Sequence, residues 1–133
     1  MDPVVHFEFP TADRERAKKF YSAVFGWQMQ ETGPEMGNYI VVSTVEADSN
    51  DPMKRPKKPG AINGGFYGRS DEDPWRQHPS VVIAVRDLEE SMKKIVAAGG
   101  KLHGEAMDIP GIGRYASFMD TEGNMVSVLQ PKM

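Results

Sequence analysis

The chain has no cysteine. That excludes disulfides, thiolate metal centres and a cysteine nucleophile, and it agrees with a cytoplasmic protein. No apolar run approaches the roughly 20 residues needed to cross a bilayer, so no membrane partner is expected. The opening Met1-Asp2-Pro3 lacks the basic-then-apolar layout of a signal peptide. A net charge of −3 leaves no electrostatic footprint for nucleic acid. The one basic cluster, Lys54, Arg55, Lys57 and Lys58, is broken by prolines and reads as a solvated loop rather than a phosphate or partner patch. No Gly-rich phosphate loop, nucleophile elbow or His-Glu zinc helix occurs.

What remains is a soluble globular pattern: 39% of the 133 residues are hydrophobic and 26% charged, enough for one domain with a core. The chain also repeats itself. An apolar strand ending near Pro10 leads to Asp13, a helix N-cap followed by the acidic Glu15. Ala17, Phe20, Tyr21, Val24 and Phe25 then recur at helical spacing, which predicts a buried stripe ending at Gly26. Farther on, Val81, Ile83 and Val85 form a second strand face, and Asp87 with Glu90 has capping-box spacing. Leu88, Met92, Ile95 and Val96 supply the second helical stripe, which stops at Gly99-Gly100. His6 therefore corresponds to Ser80.

Two further echoes follow. Gly37-Asn38-Tyr39-Ile40 matches Gly113-Arg114-Tyr115-Ala116, and Gly60 to Gly64 matches Gly123 to Ser127. The expectation is an α+β fold of two βαβββ modules in one domain over residues 1–133. Module 1 covers about 1–68, a Pro- and charge-rich connector 69–79, and module 2 about 80–133. A module this small could scarcely bury its sheet alone. Helices should cover Phe7, Phe9, Val81 and Ile83, and the opposite faces of a curved mixed sheet should enclose a cleft. Because side chains alternate along a strand, His6, Glu8, Ser80, Val82 and Ala84 would then point inward.

This organisation resembles the vicinal oxygen chelate superfamily, which includes glyoxalase I, fosfomycin- and bleomycin-resistance proteins and extradiol dioxygenases. The residues that carry the resemblance are His6 with Asp13, the run Phe20-Tyr21-Ser22-Ala23-Val24-Phe25-Gly26-Trp27, Val85-Arg86-Asp87, Ala98-Gly99-Gly100 and Asp120-Thr121-Glu122-Gly123-Asn124. It is most similar to small glyoxalase-like proteins. The resemblance implies four inward metal positions, which fall on His6, a residue at or next to Gly64, Ser80 and Ser127. Only His6 is a usual ligand, so no cofactor is expected, with a divalent ion left open. His78 could help His6 and Glu8 hold one if the connector folds inward.

Read on their own, His6 and Glu8 are candidates for acid–base chemistry, with Ser80, Val82 and Arg114 as ligand-lining positions; the resemblance adds Gly64 and Ser127 to that lining. Arg114 suits a carboxylate or phosphate, with a surface arginine as the plainer reading. Residues 107–113 are either a lid or a plain hairpin, His103 a surface-loop histidine, and Trp75 a cleft cap or a contact to a second copy in a homodimer. The function expected is binding of a small, partly apolar molecule, as bleomycin-resistance relatives do. The alternative is a lyase, isomerase or dioxygenase that uses His6 and Glu8.

Overall fold

A computed structural model describes residues 1–51 and 55–132; Lys54 of the basic cluster lies outside them. The chain falls into two compact units, one of His6–Pro79 and one of Met1–Val5 together with the chain from Ser80 onward. In chain order the elements are β1 (Val4–Thr11), α1 (Arg14–Phe25), β2 (Gln28–Glu31), β3 (Ile40–Ser43), β4 (Asn63–Gly68), β5 (Ser80–Ala84), α2 (Leu88–Ala97), β6 (Lys101–Ile109), β7 (Gly113–Met119) and β8 (Met125–Pro131). Short 3-10 turns stand at Pro34–Met36 and Pro74–Arg76.

In the first unit the strands run β2-β3-β4-β1, with β1 and β4 parallel and the other pairs antiparallel. The second unit repeats this as β6-β7-β8-β5, with β5 and β8 parallel. The α+β repeat expected from the spacing is therefore present, strand for strand. Both helices begin as the sequence dictates. The Asp13 carboxylate accepts from Arg16 N, and the Asp87 carboxylate accepts from Glu90 N, each at 3.1 Å. Each helix ends where a glycine can take a positive φ, Gly26 at 72° and Gly99 at 100°.

Alternation along β1 sends Phe7 into a core with Ile40, Val42 and Phe66, packed by Ala17, Tyr21 and Trp27. The indole of Trp27 lies nearly parallel to the Tyr21 ring, 4.7 Å away. The expected stripe of α1 is only partly right. Ala17 and Tyr21 pack inward, whereas Phe20, Val24 and Phe25 are 55%, 55% and 59% exposed. The aromatic layer of Tyr21 and Trp27 fills the space between helix and sheet, so the apolar stripe is wider than the surface it can cover.

The second core is Val85, Leu88, Ala116 and Val128, with Ile83, Met92, Ile95 and Phe118 packed around it. Here residues 107–113 make a plain hairpin. β6 continues to Ile109, β7 starts at Gly113, and Lys132 N donates to the Ile112 carbonyl at 2.8 Å. His103 is exposed on β6, opposite Ser117, rather than in a loop. Trp75 is half-buried within the connector's 3-10 turn.

Candidate functional site

The first unit carries its ionisable groups on the sheet face away from α1. In the parallel register His6 stands beside Asn63 and Glu8 beside Gly65. Gly64 is the neighbour of Phe7, and a Cβ there would meet the Phe7 ring carbons at 2.6 Å. Gly64 is thus on the core face, where close packing requires glycine, and the position facing Glu8 is Gly65. A Cβ on Gly65 would overlap the ring of Tyr39. The absent side chain is what lets the Tyr39 phenol lie across the strands.

Tyr39 reaches that place through a turn. Gly37 and Asn38 both take positive φ, 65° and 57°, immediately before β3. The Tyr39 hydroxyl then sits 2.9 Å from His6 Nε2 and donates to Glu8 Oε2 at 3.2 Å. A phenol has one proton, and a carboxylate can only accept. With that proton directed at Glu8, His6 Nε2 must carry its own hydrogen and donate to the Tyr39 oxygen. The lone pair of the imidazole is then on Nδ1.

Burial pushes the His6 pKa below its ordinary value, with the Glu8 charge opposing the shift. The histidine is therefore neutral at physiological pH. Tyr67 is pushed up to about 12 by burial and secondarily by Glu8, and its hydroxyl donates to the His78 carbonyl at 2.8 Å. His78 contributes its carbonyl to this bond, and the residue itself is exposed. Val41, in register with Gly65 and 40% exposed, adds an apolar patch beside the chain of hydrogen bonds. Among the described residues, no three His, Cys, Asp or Glu side chains come together as a metal site would require.

The matching face of the second unit holds neutral groups. Ser127 is buried, with its hydroxyl 2.6 Å from the Tyr115 hydroxyl and 3.0 Å from that of Ser117. Val82, in register with Ser127, is 2% exposed, and Ser80 lies two residues earlier on β5, half-buried. Arg114 does not share this face. Its Nη1 donates to Glu89 at 2.5 Å and its Nε to Asp108 at 3.1 Å. It pairs with Gln130, whose side chain accepts from Leu88 N at the start of α2. Arg114 thus lies on the helix side, held in ion pairs with Glu89 and Asp108.

Tyr39 was not singled out as a site residue from the sequence. The signal was present in the internal echo, since Gly37-Asn38-Tyr39 and Gly113-Arg114-Tyr115 place a tyrosine at the same point of each module. Both phenols bond to positions the repeat had marked, His6 in one unit and Ser127 in the other.

Residues 4–45 match the family model described as bleomycin resistance protein-like N-terminal. A "Glyoxylase-like domain-containing protein" of Didymella fabae is 32% identical over 88% of this chain and 84% of its own length. "Putative glyoxylase CFP32" of Mycobacterium bovis is 33% identical over 93% of this chain, which spans only 42% of that protein. Among solved structures, methylmalonyl-CoA epimerase from Mycobacterium tuberculosis superposes with a TM-score of 0.66, at 15% identity, over 98% of this chain and 88% of its own.

Proposed function

The chain belongs to the vicinal oxygen chelate superfamily, among its glyoxalase- and bleomycin-resistance-like proteins, and from that premise we propose that it binds a small, partly apolar molecule against the His6–Tyr39–Glu8 face. The observation that carries this reading is the hydrogen-bond chain itself, which holds three polar side chains in fixed orientation beside the exposed Val41. Such a mixture of oriented polar groups and apolar surface is what small-molecule sites are made of.

Many superfamily members use a divalent ion, but the donor set here does not suit one. His6 is the sole imidazole among the four inherited positions, Gly65 offers no side chain, and the Ser127 hydroxyl is shared between Tyr115 and Ser117. Neutral hydroxyls and a single imidazole are a poor match for the three or four strong ligands a catalytic cation takes.

Relatives suggest the probes. Some are named for anthracycline biosynthesis, such as DauV of Streptomyces sp. strain C5, and the matching family model is named for bleomycin resistance. Titration with bleomycin and with an anthracycline, followed by calorimetry and chromophore fluorescence, should give saturable binding of at least one. Affinity should fall tenfold or more in His6→Ala and Tyr39→Phe. Stoichiometric uptake of zinc or nickel, lost in His6→Ala, would overturn the metal-free part of the reading.

A second reading is supported by the neutral state of His6. An imidazole with its lone pair on Nδ1 and Nε2–H anchored to Tyr39 is prepared to act as a general base, in a lyase or isomerase that removes a proton beside a carbonyl. Deuterium uptake from heavy water into small carbonyl compounds, abolished by His6→Gln, would establish that activity.

A further inference from the structure

We propose that Arg14 and Arg76 form an oxyanion-binding site at the C-terminal end of β4, distinct from the His6 face. It would take the phosphate or carboxylate group of a ligand. Arg14 is the first residue of α1, and Arg76 ends the 3-10 turn Pro74–Arg76. Their two Nη2 atoms lie 3.0 and 3.1 Å from one point, where a Cβ on Gly68 would stand. Gly68 thus keeps open the space on which both guanidinium groups converge. Arg76 Nε donates to the Gly68 carbonyl at 2.9 Å, which fixes that guanidinium at the strand end.

Two positive groups brought this close repel each other unless an anion lies between them. The chain places none in contact with them: Glu31 feels the charge of Arg14 from a distance, but among the described residues neither Arg14 nor Arg76 takes part in an ion pair. By contrast, Arg55, Arg69 and Arg114 are each bonded to an aspartate or glutamate. Arg14 is also poorly satisfied in its present seat. Its Nη2 bond to the Gly37 carbonyl is long, at 3.5 Å, and its Nε is buried with no hydrogen-bond partner. Buried donors without acceptors are rare and call for an explanation. A bound oxyanion gives one, because guanidinium groups bind phosphate and carboxylate through paired N–H donors. Asp13 already caps α1, so the helix terminus is not part of the site.

The test is titration of the full chain with inorganic phosphate and, in parallel, acetate, each against sodium chloride of equal ionic strength. Melting temperature and the side-chain Nε–H resonance of Arg14 are followed together. The expected result is a saturable rise in melting temperature and a saturable shift of the Arg14 signal with one or both anions. A response to phosphate alone assigns the site to phosphate groups, and one to acetate alone assigns it to carboxylates. Arg76→Gln and Arg14→Gln should each weaken the response at least tenfold, while Arg16→Gln, an exposed neighbour outside the pair, leaves it intact. No saturable response beyond that of chloride, or an unchanged response in Arg76→Gln, would overturn the proposal.

Discussion

The two modules share one topology and place a tyrosine at the same point, yet they do different things with it. In the first, Tyr39 lies over Gly65 and ties together His6 and Glu8. In the second, the position beside Val82 is Ser127, and Tyr115 bonds to it and so indirectly to Ser117. The serine cluster satisfies neutral hydroxyls with one another, which leaves little free energy that responds to pH or to a charged ligand. The histidine cluster holds an ionisable ring out of water and fixes its tautomer through a neighbour. One scaffold therefore offers a settled polar core in one module and a poised ionisable group in the other. The glycine at 65 makes the difference, because only an absent side chain lets a phenol reach across to β1.

Gly65→Ala should break the comparison most severely. The added methyl overlaps Tyr39, so overpacking of about 1–3 kcal/mol adds to the loss of the bonds that the displaced phenol makes to His6 and Glu8. Urea denaturation should show that loss together with weaker ligand binding, whereas Ser127→Ala should affect stability alone.

Tyr39→Phe comes next. It removes the bonds to His6 and Glu8, one of them to a charged acceptor, for about 1.5–3 kcal/mol. Tyr115→Phe loses a bond between neutral hydroxyls, for about 0.5–1.5 kcal/mol. If the two variants are equally destabilised, the distinction between the modules is wrong.

The third effect is one of pH. Because burial lowers the His6 pKa from 6.5, the unfolded chain takes up the proton more readily than the folded one. The stability from this group is complete above pH 6.5 and declines as pH falls from there through the lower folded value. Thermal melts from pH 8 to 5 should show this slope, and His6→Gln should flatten it, while no Ser127 variant should alter it.

Smallest of all is Arg114→Ala. Its partners Glu89 and Asp108 are solvent-exposed, and such pairs contribute little. Melting temperature and ligand affinity should both stay close to those of the parent chain.

The architecture was legible because it was written twice. Asp13 and Asp87 cap, Gly26 and Gly99 stop, and the periodicity switches from two to helical spacing at matching places. Register was harder to read. Gly64 and Gly65 are adjacent residues without side chains, so alternation leaves no mark on them, and only the pairing of β4 with Glu8 tells which one faces the site. The same limit applies to Arg114, whose face depends on pairing with Gln130. Phe20, Val24 and Phe25 fit a buried helical stripe in spacing, but burial depends on how much sheet there is to cover. Tyr39 was hidden for a different reason. Its contacts with His6 and Glu8 span 33 and 31 residues and depend on a turn in which Asn38 takes a positive φ.

The most direct test of the account is the nitrogen spectrum of the His6 imidazole, recorded at pH 7 with and without one equivalent of zinc. The account predicts a neutral ring protonated on Nε2, unchanged by zinc and altered in Tyr39→Phe. A ring protonated on Nδ1 would contradict the tautomer that Tyr39 fixes, and a ring-nitrogen signal displaced stoichiometrically by zinc would make His6 a metal ligand and contradict the metal-free reading.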